Sequence, residues 1–384
     1  MKVLFVLDSL FGGGTERSTV VLLPYLRDRG IEPTVAVLRA SNSGDEAALT
    51  ASGIEVVVLE GSSKRQQIAP LRALIGRVQP DIVHTALFAA DVVGRLAAWR
   101  TGARVVSSLV NTPYDSARLG DPNVRRWKLR TVQVIDALTA RLFTHRLHAV
   151  SAGVAEANRA ALRYPASRIT TVERGRSRDG LGHWSIERRL RVRRELGLAE
   201  NAPVVLSAGR HEFQKAQVDL VQAAERLLPD IPNICVLIAG PNGNASAVLH
   251  QALDERPDVS GVVRVLGHRD DVADLMVAAD VLVVSSHWEG TAGAALEALA
   301  LRCPVVSTDL AGLRGILTAD RTALLVPIAD PRALAEAVRR VLTEPGLADR
   351  LRDAGEADYE GRFTLDTCAD GFVAMYEEML GDGS

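Results

Sequence analysis

The chain has 384 residues, a formal charge of -2 and 47% hydrophobic residues. Its length suits two domains of about 100–200 residues each, its apolar content excludes a disordered chain, and its near-neutral balance removes the case for bulk nucleic-acid binding. Three isolated cysteines, Cys235, Cys303 and Cys368, fit neither a disulfide framework nor a zinc site, and point to a reducing compartment.

Residues 2–7 read as a first strand. Asp8 interrupts this apolar run too early for a signal peptide or a membrane span, and no other uninterrupted run reaches spanning length. The expectation is a soluble, cytoplasmic protein, with attachment to the inner face of a membrane left open. A glycine-rich turn, Phe11-Gly12-Gly13-Gly14-Thr15-Glu16-Arg17, leads into a helix expected over residues 18–29. Such a turn can bring backbone N–H groups up to a phosphate, or can simply be a tight connection. Buried runs follow at 33–38 and 55–59, then a strand ending at His84 behind Pro80, a helix over 90–100 and a strand over 104–109. This alternation of β and α predicts a doubly wound parallel sheet.

A basic run, Arg125-Arg126-Trp127-Lys128-Leu129-Arg130, precedes an apolar-spaced helix through Val134, Ala137, Leu138 and Arg141. Trp beside Lys and Arg on an amphipathic helix suits the edge of an anionic bilayer. The alternative packs Trp127 into the core and leaves the cations as a solvated face. After His148-Ala149-Val150, Ser151 is placed to cap the next helix. Residues 174–194 are crowded with arginine and broken by Gly175, Gly180 and Gly182, so they read as an interdomain segment with a solvated charged face. A helix over 186–196 then leads into a second β/α domain at Pro203.

That domain opens on a strand followed by Arg210 and Lys215, cations placed to hold a diphosphate through a forked guanidinium and a point-like ammonium. Strands are expected at 235–240 and 263–267, with Asp270 and Asp271 capping the helix that follows. The most informative stretch is 279–309. A buried strand at 281–284 runs through the polar loop Ser285-Ser286-His287-Trp288-Glu289-Gly290 into an Ala/Leu-rich helix and a second buried strand at 305–307. Two acids, Glu289 and Glu297, flank the loop-to-helix junction, with Gly290 and Gly293 between them. Helix-start N–H groups favour phosphate, and carboxylates accept hydrogen bonds from sugar hydroxyls. Taken alone, the two acids could equally be a helix-start residue and a solvated one.

Glu289-Gly290 and Glu297-Ala298-Leu299-Ala300, followed by Cys303-Pro304-Val305-Val306, resemble the Glu-x7-Glu signature of family-four retaining glycosyltransferases. The resemblance extends to Gly13-Gly14-Thr15-Glu16-Arg17 and to Gly209-Arg210-His211-Glu212-Phe213-Gln214-Lys215, and covers nearly the whole chain. It implies two facing Rossmann-like domains, the α/β arrangement called GT-B, with a cleft between them and a C-terminal helix crossing back to the first. The implied bounds are 1–173 for the acceptor domain, 174–195 for the interdomain segment, 196–363 for the nucleotide-sugar domain and 364–384 for the returning helix.

By the same resemblance, Gly13 and Gly14 lie under the donor diphosphate, and Arg210 and Lys215 neutralise it as it leaves. The backbone from Gly267 to Arg269 lies against the base, and Gly290, Thr291, Ala292 and Gly293 cradle the phosphates. Glu297 takes the ribose hydroxyls and Glu289 the sugar ring. Arg210, Lys215 and Glu289 are the catalytic candidates. The reaction implied is metal-independent hexosyl transfer with retention, in which the departing phosphate takes the acceptor proton and domain closure limits hydrolysis. The donor is a nucleotide-diphosphate sugar, a UDP-sugar favoured over a GDP-sugar, with no further cofactor. The acceptor is a glycan, a lipid-linked saccharide or a small molecule. Two positions depart from the family: Val110 stands where it carries His, beside Asn111, and Gly315 where it carries an acid. A nucleotide-sugar epimerase and a non-catalytic sugar-nucleotide-binding subunit are the alternatives.

Overall fold

The computed structural model describes residues 1–10, 14–40 and 44–381. Gly13 lies outside them. The chain divides into two compact units, one formed by Met1–Asp115, Pro122–Arg176 and the chain from Arg362 onward, the other by Ser116–Asp121 and Ser177–Gly361.

The first unit is built on seven strands: β1 Lys2–Leu7, β2 Glu32–Val37, β3 Glu55–Val58, β4 Ile82–Ala86, β5 Arg104–Leu109, β6 Arg146–Ala149 and β7 Ile169–Thr171. All pair in parallel, in the order β3-β2-β1-β4-β5-β6-β7. The second unit has six: β8 Val204–Ala208, β9 Cys235–Ala239, β10 Val263–Gly267, β11 Val281–Val284, β12 Val305–Thr308 and β13 Ala323–Val326. These too are parallel, in the order β10-β9-β8-β11-β12-β13. Parallel strands covered on both faces carry continuous apolar runs, which is why Val3–Leu7 and Val281–Val284 are buried throughout. In each sheet the strand order reverses once, between β1 and β4 and between β8 and β11, and the carboxyl ends at such a point open a ligand crevice.

The first helix, Gly14–Arg27, starts four residues before the expected point, so Thr15 and Glu16 fall in its first turn. The helix Leu347–Arg362 was not anticipated. Half of its residues are charged, and it buries only a narrow line including Leu347, Leu351, Gly355 and Tyr359. A Cβ on Gly355 would come within 2.8 Å of the Leu299 side chain, so glycine sets that close approach.

The arginines of 174–194 do not form the expected solvated face. Arg188 pairs with Asp274 at 2.6 Å, while Arg189 and Arg193 share Asp280 at 2.5 and 2.8 Å. Arg193 is buried and donates to the carbonyls of Ala278, Glu200 and Ala202. These bonds fasten the helix Ile186–Glu195 to the second unit. Charge was conspicuous in the sequence; its partners, some 85 residues on, were not.

The last helix, Leu365–Gly381, buries Cys368, Phe372, Met375, Tyr376 and Met379 in the core of the first unit beside Phe5 and Leu23. It is anchored by one buried polar chain. Tyr376 Oη lies 2.5 Å from His84 Nδ1, His84 Nε2 lies 2.6 Å from Ser108 Oγ, Ser108 Oγ lies 2.7 Å from His148 Nδ1, and His148 Nε2 lies 3.0 Å from the Val172 carbonyl. A carbonyl only accepts, so His148 Nε2 carries hydrogen; each earlier proton then has one position, and Tyr376 donates to His84. Both imidazoles are neutral, held below their usual pKa by burial, His148 down to about 4.

Candidate active site

Two loops leave the carboxyl ends of neighbouring strands and meet. The loop after β8 carries exposed Arg210 and a short 3-10 turn, Phe213–Lys215, that closes on Ala216 in the left-handed region (φ 47°). The loop after β11 carries Ser285 to Gly290 and runs into the helix Gly293–Ala300. Lys215 reaches across, its Nζ 2.5 Å from Glu289 Oε1. Ser285 Oγ donates to the Lys215 carbonyl at 2.9 Å, and His287 N to the Gln214 carbonyl at 2.8 Å, so backbone as well as side chains joins the loops.

Glu289 is a loop residue, only 5% exposed, and not a helix-start acid. Its Oε1 accepts from Lys215 and from Ser286 Oγ at 2.7 Å; its Oε2 accepts from Gln214 Nε2 at 3.3 Å. A carboxylate has about four acceptor positions, which leaves Oε2 with room for one more donor, such as a sugar hydroxyl. Burying an acid this deeply is costly unless it is paired, and here the cation and two neutral donors supply the pairing.

Ala292, just before the helix, has φ 35°, an uncommon conformation for a residue with a Cβ. No side chain among the described residues caps the helix, and its start stands at the rim of a pocket lined by Lys215, Glu289, Ala292, Gly293, Ser286 and Gln217. Thr291 is buried, with no hydrogen-bond partner for Oγ1 among the described residues. Gly290 is buried beside it, and Glu297 is half-buried one turn into the helix.

The other candidates are more dispersed. Gly267, in the left-handed region at φ 68°, ends β10, two strands from β8, and its carbonyl accepts from Gly240 N at 2.7 Å. Arg269 is tied to Asp271 by two bonds of 2.6 and 2.7 Å. Asp271 therefore makes no side-chain cap to the helix Val272–Ala278, and Asp270 is almost fully exposed; the expected capping by this pair does not occur. Gly14 belongs to the first unit, where it begins the helix Gly14–Arg27. Val110 lines a separate pocket of that unit with Ser108, His148, Arg174, Thr15 and Ser18. Ser151 caps its helix as expected, accepting from Val154 N at 3.2 Å.

Gln214, Ser286 and Gly312 were not singled out. Gln214 and Ser286 complete the hydrogen bonding of Glu289. A Cβ on Gly312 would stand 1.9 Å from the Glu289 carbonyl and 2.5 Å from that of Gly290, so this glycine lets another segment press against the loop. Arg118, on the turn Ser116–Gly120, lies over the Trp288 ring at 5.9 Å, beside Phe213 and His287.

Residues 189–358 match the model for glycosyl transferases group 1, and residues 12–179 match that for glycosyltransferase family 4. The chain is 26% identical over 367 residues to the lipopolysaccharide core biosynthesis glycosyltransferase LpsE of Rhizobium meliloti, covering 94% of this chain and 95% of the relative. It is 30% identical over 324 residues to a D-inositol 3-phosphate glycosyltransferase of Streptomyces bingchenggensis, covering 78% and 67%. Among solved structures, Anabaena HepE in complex with UDP matches with a TM-score of 0.84 at 22% identity, over 98% of this chain and all of that one. HepE has also been solved with UDP-glucose, which matches at a TM-score of 0.83 and 21% identity over all of both chains.

Proposed function

The chain belongs to the group 1 glycosyltransferases, with their two-domain GT-B fold, and from that premise we propose that it transfers a hexose from a nucleotide-diphosphate sugar to an acceptor hydroxyl with retention of configuration. The observation that carries this is the Lys215–Glu289 pair beside the uncapped start of the helix Gly293–Ala300. A cation and the start of a helix face one pocket, and a carboxylate with one open acceptor position lines it.

C–O cleavage builds negative charge on the departing diphosphate. Arg210, Lys215 and the N–H groups at the helix start stabilise that charge where it develops, the kind of contribution that is usually largest. Glu289 accepts from a sugar hydroxyl, Glu297 from the ribose, and the backbone at Gly267 to Arg269 contacts the base. Glu289 is not the general base, since its lone pairs are largely taken by Lys215, Ser286 and Gln214. The departing phosphate oxygen takes the acceptor proton. No divalent ion is required, because cations and helix N–H groups do the neutralisation. UDP and UDP-glucose bound to HepE favour a UDP-sugar as donor. The acceptor is a glycan or lipid-linked saccharide, in keeping with the name of the Rhizobium relative.

A thermal-shift screen of UDP-, GDP- and ADP-sugars identifies the donor, since binding to the native state raises its melting temperature. Transfer is then assayed in excess chelator, and the anomer of the product is read by NMR. A retained anomer formed in chelator supports the mechanism. An inverted product, or activity restored only by Mn²⁺, overturns it. Epimerised donor formed without acceptor would mark an epimerase instead.

A further inference from the structure

The helix Arg126–Phe143 in the first unit is built inside out. Its one acid, Asp136, faces inward and is buried, accepting from Arg95 at 2.6 Å and from the Tyr114 hydroxyl at 2.7 Å. Arg95 is itself fully buried and also donates to Ser107 and Thr139. This network fixes the rotation of the helix about its axis. Its exposed large apolar residues are Trp127, Val134, Ile135, Leu138 and Leu142, between 40% and 69% exposed.

At 3.6 residues per turn these five lie within a stripe roughly 100° wide, with Thr131 among them. Lys128 flanks it on one side, Arg130 and Arg141 on the other, and Arg125 and Arg126 stand at its start. At the far end, Leu142 runs on to Phe143 and exposed Trp99, whose ring packs against Phe143 at 5.8 Å and carries Arg100 at 4.6 Å. Arg125, Arg126, Lys128 and Arg130 form no ion pair among the described residues. Trp127 is not in the core, and the cations frame an apolar face instead of a merely solvated one.

An exposed apolar stripe on a folded unit marks an interaction surface, and the charge beside it selects the partner. We infer that this face lies on an anionic lipid surface, with Trp127, Leu138 and Leu142 entering the headgroup–acyl boundary and the flanking cations meeting lipid phosphates. The helix is about 27 Å long and would lie in the plane of the surface. No helix among the described residues is long and apolar enough to cross a membrane, so the contact is peripheral. The inference does not depend on the sugar-transfer chemistry.

The test is cosedimentation of the full chain with vesicles of phosphatidylcholine alone or with added phosphatidylglycerol, at low and high salt. Wild type should pellet with the anionic vesicles only, and less at high salt. Neutralising Arg126, Lys128 and Arg130 to Gln should weaken binding roughly fivefold per cation, about a hundredfold together. Leu138→Ser with Leu142→Ser should weaken binding at low salt as well. All five sites are exposed, and an unchanged melting temperature shows that the variants fold. Wild type left in the supernatant with anionic vesicles would overturn the inference. So would a wild-type dimer, seen by sedimentation velocity, that the leucine variant converts to monomer: the face would then be covered by a second copy.

Discussion

Lys215 Nζ and Glu289 Oε1 lie 2.5 Å apart although 74 residues separate them in sequence. Arg210, five residues before Lys215, is exposed on the same loop. The two cations should therefore differ on substitution. Arg210→Ala should lower kcat/KM by about 10²-fold with no change in melting temperature, because an exposed cation contributes little to folding. Lys215→Ala should cost activity and also about 1.5–3 kcal/mol of stability, because it leaves a buried carboxylate without its charge partner. Adding Glu289→Gln to Lys215→Ala should recover part of the stability and none of the activity. Equal melting temperatures for Arg210→Ala and Lys215→Ala would mean that the pair does not hold the loops.

The two glutamates should separate by kinetic parameter. Glu297→Gln should weaken nucleotide binding, while Glu289→Gln should lower kcat with little effect on KM. Each loses a charge-assisted hydrogen bond worth about 1.5–3 kcal/mol, or roughly 10- to 150-fold. Steady-state kinetics with the donor found by thermal shift checks this; matched losses in KM for both variants would speak against the assignment.

Gly312→Ala should damage the site from behind. The new Cβ would lie 1.9 Å from the Glu289 carbonyl, so the loop must move. The expected cost is about 1–3 kcal/mol in stability and at least tenfold in kcat/KM. Gly76→Ala is the control. It sits in the helix Lys64–Val78 with no atom within 4 Å of the new Cβ, and should leave activity unchanged while stabilising by about 0.5–1 kcal/mol.

Acid should destabilise the first unit through its histidine chain. Burial holds His148 at about 4 and pushes His84 in the same direction, whereas unfolded His titrates near 6.5. Between those values the unfolded chain binds a proton that the folded chain does not, so stability falls as pH drops from about 6.5 towards 4. One such group contributes at most roughly 3 kcal/mol. Among the described residues, Tyr376, Phe5, Phe372, Cys368 and Arg174 lie about the chain and none of them is a carboxylate, while Glu16 interacts with Arg174. Denaturant unfolding at pH 7 and pH 5 measures the effect. His148→Asn should flatten the dependence; an unchanged slope would place the titration elsewhere.

The sheets were legible because parallel strands buried on both faces must be continuous apolar runs, and Val281–Val284 and Val3–Leu7 read that way without help. Arg210, Lys215 and Glu289 stood out as residue types after strand ends, Glu297 as an acid on the helix that follows, and all four by resemblance to a known motif. What joins them did not stand out, since pairing of Lys215 with Glu289 is a property of β8 lying beside β11. The same holds for Arg193 with Asp280 and for Arg95 with Asp136. Composition gave no means to tell a solvated arginine from a buried one. The helix Leu347–Arg362 escaped notice because its buried line is thin and includes a glycine. Trp127 was ambiguous because large apolar residues are ordinarily inside, and only the burial of Asp136 turns that face outward.

A nucleoside diphosphate should bind the second unit at the ends of β8 and β11. Calorimetric titration of UDP into wild type and Arg210→Ala tests it most directly, since neither acceptor nor turnover is needed. Wild type should bind UDP, and Arg210→Ala should bind at least tenfold more weakly while melting at the wild-type temperature. Equal affinity for both proteins would contradict it, and so would no heat with UDP or any other nucleoside diphosphate.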